Sequence, residues 1–121
     1  MKRPGQVILF NFSYPDDRTI GKFRPALIIA KLPGPRDEWL ICMISTQLRY
    51  EIKNFDEIIH ETDPDFSSSG LKSSSLIRIG RFAVVDGSIL LGSIGEISSD
   101  RLTKIKHKLA AWLLNRKIKD I

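Results

Sequence analysis

Three short stretches of the chain carry side chains that can recognise a phosphate. The first is Gly21-Lys22-Phe23-Arg24-Pro25-Ala26, where two cations stand directly before an apolar run. Proline fixes its own backbone dihedral, so the guanidinium of Arg24 is expected at the end of a strand, held in one orientation. A planar five-donor fork placed rigidly is what bidentate phosphate recognition requires. The second stretch is Ser45-Thr46-Gln47, three hydrogen-bonding side chains in a row at the end of the apolar run 38–44, which suits the rim of a pocket. The third is the pair Arg78 and Arg81 on either side of Gly80. Metal chemistry has no comparable footing. One cysteine, Cys42, and two widely separated histidines, His60 and His107, make no zinc ligand set.

These stretches need elements to hold them in place. Residues 6–12 are apolar and bounded by Pro4-Gly5 and by Ser13-Tyr14-Pro15, which predicts a strand. Residues 13–23 are polar and predict a loop. Residues 25–30 predict a second strand opened by Pro25, since proline fits the first residue of a strand. Pro33-Gly34-Pro35 predicts the link to a third strand over 38–45. Both of these strands are nearly continuous apolar runs, so both of their faces should be covered. Cys42 lies inside the second run and reads as a buried thiol.

Further along, Tyr50-Glu51-Ile52 reads as a possible strand edge and residues 67–70 as a loop. Residues 75–79 and 81–85 predict strand material interrupted by a bulge or bend at Gly80. Residues 87–91 predict a turn or short helical piece, and 92–97 a last strand. The end of the chain reads as a helix. Ser98 or Ser99 supplies a cap and Asp100 an acid in the first turn. Leu102, Ile105, Leu109, Trp112 and Leu113 form one apolar stripe, expected to be core. Five or six short strands followed by one helix predict a mainly β domain over residues 1–121, built as a small, strongly bent sheet or open barrel.

With 121 residues, 42% hydrophobic and 27% charged, the chain has the composition of one globular domain. No apolar stretch approaches the ~18 residues of a membrane span. The basic start followed by the short run 6–12 does not resemble a signal peptide, so a cytoplasmic location is the expectation. The net charge of +5 is unevenly spread. Residues 1–99 are balanced, and residues 100–121 hold seven Lys/Arg against Asp100 and Asp120. Segment 51–65 holds six acids and only Lys53 as a base. A polyanion is therefore expected on one face and repelled from another, with the acidic segment bordering any anion-binding groove.

Taken in order, these motifs resemble the MazF/PemK/Kid toxins of bacterial toxin–antitoxin pairs. The resemblance is carried by Pro4-Gly5-Gln6-Val7, then Lys22-Phe23-Arg24-Pro25-Ala26-Leu27-Ile28-Ile29, then Ile44-Ser45-Thr46-Gln47. Gly70-Leu71-Lys72-Ser73-Ser74-Ser75-Leu76-Ile77-Arg78 and a helical C-terminus complete it. It runs from about residue 3 to about residue 114. It implies an SH3-like barrel with a C-terminal helix, usually a homodimer, and a cofactor-free, metal-independent endoribonuclease acting on single-stranded RNA. It also implies an antitoxin whose disordered tail occupies the RNA groove, and an acidic tail would suit cations at positions 22, 24, 72, 78 and 81. By that resemblance Arg24 and Ser45 lie at the scissile phosphate. Thr46 and Gln47 match positions that contact substrate in relatives and Arg78 an arginine that some relatives use, and the cations Lys22 and Arg81 are expected to bind RNA with them. Relatives more often have threonine at the position of Ser45, and some have an acid where this chain has Gly80.

Other roles fit some of the same residues. Ser45 equally suits a strand-end hydroxyl satisfying a turn, and Arg78 and Arg81 suit solvent-facing strand positions. The general base is open among His60, His107, Asp16 and Asp17. Fold does not fix function. The related CcdB toxins share the architecture and poison gyrase by protein contact, and a non-catalytic nucleic-acid-binding module is a further alternative. The Arg24–Ser45 pair, which a gyrase poison does not need, distinguishes these readings.

Overall fold

The computed structural model describes residues 1–11 and 23–116. Six strands form one antiparallel sheet: β1 (Gln6–Asn11), β2 (Phe23–Lys31), β3 (Glu38–Ser45), β4 (Glu57–Ile59), β5 (Ser75–Asp86) and β6 (Ser93–Glu96). Their order is β4-β5-β3-β2-β1-β6. A one-turn helix α1 (Phe66–Ser69) precedes β5, and the long helix α2 (Ser99–Leu113) follows β6. Short 3-10 turns occupy Leu48–Tyr50 and Gly87–Ile89. The sheet curves into a half-barrel through shifts in register along β1–β6, β2–β3 and β3–β5. Among the described residues no helix is long and apolar enough to cross a membrane.

The strand pattern explains the core. Along β2, Leu27 and Ile29 point to one face and Ala26 and Ile28 to the other, and all four are buried. The first pair packs with Ile77, Ile79, Ile105 and Leu109 beneath α2. The second packs with Ile8, Trp39, Ile41 and Leu90 on the opposite side. Both faces are therefore covered, as the unbroken apolar runs predict. Cys42 is fully buried, and burial pushes its thiol pKa well up. Ser98 caps α2 by accepting the Arg101 N–H at 3.1 Å.

Several expectations change in detail. Pro25 is the third residue of β2, not its first. It pairs with Leu9, but hydrogen bonding to β3 begins only at Ala26, so its missing donor falls where β2 needs one partner alone. The two stretches expected around Gly80 are one strand. Cys42 faces Phe82 while Met43 faces Arg78, so Ile79, Gly80 and Arg81 make an excursion opposite a single step of β3. Gly80 has a packing reason as well: a Cβ there would come within 3.1 Å of Phe55 Cε2. The possible strand edge at Tyr50 is part of a 3-10 turn, and the loop at 67–70 is largely α1, ended by Gly70 in the left-handed region at φ 74°. Trp112 is not core. It is 49% exposed, resting its ring 5.7 Å from Phe55 and edge-on to Phe82 at 6.2 Å.

The acidic segment is not an exposed wall either. Asp56, Glu57 and Asp65 are buried. Asp56 accepts the backbone N–H groups of Ile52 and Ile79. Arg101 of α2 donates to Asp65 (2.9 and 3.1 Å), Asp63 (2.8 Å), Glu57 (3.2 Å) and the Ile58 carbonyl (3.0 Å). Lys108 adds a bond to Glu57 at 2.9 Å, and Lys104 lies 3.5 Å from the same carboxylate. Part of the basic excess of α2 is thus neutralised inside the fold.

Candidate active site

A cleft of about 700 Å³ opens where β2 begins and β3 ends. Arg24 and Pro25 come from β2, and Met43 through Ser45 from β3. Thr46 and Gln47 continue the rim, and Arg78 enters from β5. The facing wall is the chain after α1, including Leu71, Lys72 and Ser73, with Ile94 of β6. Gly70 makes that approach possible, because a Cβ there would collide with the carbonyl of Ile94.

Local chemistry fixes the rim. Ser45 Oγ accepts the backbone N–H of Gln47 at 3.0 Å. The turn reading of Ser45 is therefore correct, and it does not compete with a site role. A hydroxyl that accepts one bond keeps its own proton and a second lone pair, while the turn holds the oxygen in place. Beyond it, Arg49 donates to the Tyr50 hydroxyl at 3.2 Å. The guanidinium carbons of Arg49 and Arg78 lie 5.0 and 5.2 Å from the centre of the Tyr50 ring. The hydrogen bond from Arg49 and its charge draw the phenol pKa below the usual tyrosine value; desolvation opposes them, and the charge of Arg78 adds a smaller contribution in the same direction.

The described lining holds four cations (Arg24, Arg49, Lys72 and Arg78) and no aspartate, glutamate or histidine. Such a cleft concentrates positive potential and attracts a polyanion. Among the described residues no group of three His, Cys, Asp or Glu comes together to hold a metal ion.

A family model described as PemK-like, MazF-like toxin of type II toxin–antitoxin systems matches residues 3–113. The chain belongs to the PemK/MazF-like toxins. Membership places it among the toxin components of type II toxin–antitoxin systems. Solved structures share the fold at low sequence identity. One, an endoribonuclease in complex with its cognate antitoxin from a mycobacterial species, is 15% identical with a TM-score of 0.65, covering 93% of this chain and 95% of that one. The Mycobacterium tuberculosis toxin MazF-mt6 is 14% identical at 0.65, with 95% and 99% covered. The MazE–MazF complex of Deinococcus radiodurans is 17% identical at 0.66, with 96% and 97% covered. A sequence search of curated proteins finds no match.

In this PemK/MazF-like chain the cleft gathers Arg24, Ser45, Thr46, Gln47 and Arg78. Arg81 does not join them. It is exposed and belongs to the excursion around Gly80, outside the cleft lining. Lys22, Tyr14, Asp16 and Asp17 lie outside the described residues. His60 and His107 are exposed and away from the cleft. A side chain at position 80 would press on Phe55, with its Cβ 3.1 Å from Cε2, and Phe55 does not line the cleft. The sequence reading missed Arg49 and Tyr50. They follow Ser45-Thr46-Gln47 without a break, and that continuity was the available signal.

Proposed function

We propose that this chain is a metal-independent endoribonuclease that cuts single-stranded RNA, messenger RNA in particular, by attack of a ribose 2′-hydroxyl on the adjacent phosphorus. The observation that carries this reading is the meeting of Arg24 and Ser45, from two neighbouring strands, in one cationic cleft within a PemK/MazF-like fold. The attack forms the 2′O–P bond and breaks the bond to the 5′-oxygen, leaving a 2′,3′-cyclic phosphate. Negative charge accumulates on the non-bridging oxygens as the bond forms. Arg24 stabilises that charge with donors fixed before the reaction begins. Ser45, its oxygen anchored by Gln47, donates its proton to a phosphate oxygen. Thr46, Gln47 and Arg78 hold the flanking chain.

Purified protein should cleave an RNA oligonucleotide in excess EDTA and leave a 2′,3′-cyclic end, detected by mass spectrometry. A substrate with a single deoxyribose at the cut site should stay intact. Cleavage of that substrate, or of DNA, would rule out the internal nucleophile. Gyrase inhibition without RNA cleavage would favour the protein-contact alternative.

The partner follows from the same charges. Two of the structural neighbours are complexes with antitoxins, and this chain is expected to act as a homodimer held by an antitoxin with an acidic tail. A disordered acidic segment would order itself along the cleft through the cations that also draw phosphate. An acidic antitoxin peptide and RNA should displace one another in a fluorescence-polarisation titration, both more weakly as salt rises. A ternary complex would place the peptide elsewhere.

A further inference from the structure

The reaction needs a group to take the 2′-hydroxyl proton, and the described lining of the cleft holds neither a carboxylate nor an imidazole. We propose that Tyr50 is the general base of this cleft: its phenolate oxygen takes the proton from the attacking ribose 2′-hydroxyl. The assignment rests on the ribonuclease reading above and deepens it.

Four observations carry the proposal. Tyr50 lines the same cleft as Arg24, Ser45 and Arg78. Its oxygen already accepts a hydrogen bond from Arg49 at 3.2 Å, so a charged donor stabilises the deprotonated form. A second guanidinium, Arg78 of β5, stands 5.2 Å from its ring centre. Every other charged group in the described lining of the cleft, Arg24 and Lys72, is also a cation. Glu51 follows Tyr50 in the chain but does not line the cleft. The described cations around the phenol therefore favour its anion, and its pKa is lowered, first by the hydrogen bond and charge of Arg49 and then by the charge of Arg78. A base whose pKa is brought down toward the working pH is populated without losing all of its basicity.

The step balances without a further co-reactant other than water. The 2′-hydroxyl proton passes to the Tyr50 oxygen as the 2′O–P bond forms. The P–5′O bond breaks, and the departing 5′-oxygen takes a proton from solvent water. Tyr50 then returns its proton to solvent hydroxide and is ready for the next substrate. Arg49, which acts through Tyr50, is a positioning residue.

The test joins kinetics to a direct titration of the phenol. The chain has two tyrosines, Tyr14 and Tyr50, so the 295 nm absorbance difference between the wild type and Tyr50→Phe reports Tyr50 alone. Its midpoint should lie below that of free tyrosine. The kcat/KM of the wild type on a single-site RNA should rise with pH and level off at that same midpoint. Tyr50→Phe should lose about a hundredfold to ten-thousandfold in rate and show no levelling. Arg49→Gln should move the optical and the kinetic midpoints upward together, which a purely structural effect would not do. An active wild type with Tyr50→Phe within threefold of it, or an Asp16→Asn/Asp17→Asn variant that abolishes the levelling, overturns this assignment and leaves the ribonuclease reading standing. A wild type that leaves RNA intact overturns both.

Discussion

Arg24→Ala is expected to lower RNA cleavage by about a hundredfold to a thousandfold, the usual effect of removing one preorganised donor from a developing oxyanion. The fold should survive. Arg24 is only partly buried, and the strand around it is held by backbone pairing of Phe10 with Arg24 and of Leu9 with Pro25, which truncation of a side chain leaves in place. Arg24→Lys should restore little, because an ammonium is a point charge and cannot grip two phosphate oxygens at once. Ser45→Thr should be tolerated, since it keeps the hydroxyl that accepts from Gln47. Ser45→Ala should be slow, because both the proton donor and the anchor of the turn are lost. Single-turnover rates beside thermal midpoints give the measurement. A near-normal rate for Arg24→Ala would place the reacting phosphate elsewhere in the cleft.

The second large effect concerns stability. Arg101→Ala should destabilise the protein by about 3–5 kcal/mol, the cost of removing one partner from a buried charge cluster. All five guanidinium donors are engaged. The side chain is 12% exposed, against 8% for Glu57 and 9% for Asp65. Arg101→Lys cannot replace them with three donors. The cluster also predicts how stability varies with acid. Asp63 is held below the ordinary aspartate pKa by the backbone N–H of His60 and by Arg101. For Asp65, burial opposes ionisation, but the bonds from Arg101 and from the Ser98 N–H outweigh it, and its pKa also falls. Both carboxylates therefore contribute stability that is fully present above the unfolded aspartate pKa of about 3.9 and is lost as pH falls through their lower folded values. Thermal midpoints of the wild type should decline from about pH 4 downward. Those of Arg101→Ala should start lower and decline less. Equal acid sensitivity in the two proteins would show that the cluster is not the titrating unit.

Local rules made much of this molecule readable. β3 keeps the boundaries expected from its apolar run, because the covering of both faces leaves no polar position to blur them. The serine cap set the start of α2. The same stripe misled at the other end. Periodicity identifies which face of a helix is apolar but not where the sheet beneath it stops, so Ile105 and Leu109 are buried while Trp112 and Leu113 stand exposed. Arg24 and Ser45 were legible because each stands at a strand end, a position that local sequence marks. Tyr50 was not, because its meaning depends on Arg78, which comes from a distant strand. The pairing of Arg101 with Asp63, Asp65 and Glu57 likewise spans 36 to 44 residues. Segment charge sums could not reveal that acids of one stretch and cations of the helix pair with one another inside the fold.

Cys42 gives the protein a built-in clock. It is the chain's one thiol, and it is sealed in the middle of β3, paired with Leu27 on one side and Phe82 on the other. A thiol reagent needs both contact and a thiolate, and the folded state withholds each, the second because burial raises the pKa. Alkylation can then proceed only through states in which the sheet parts. The rate at which an alkylating reagent consumes Cys42 in native buffer therefore counts openings of the sheet centre, with no label to attach and no second cysteine to subtract. RNA or peptide bound across the ends of β2 and β3 would slow that count without touching the sulfur.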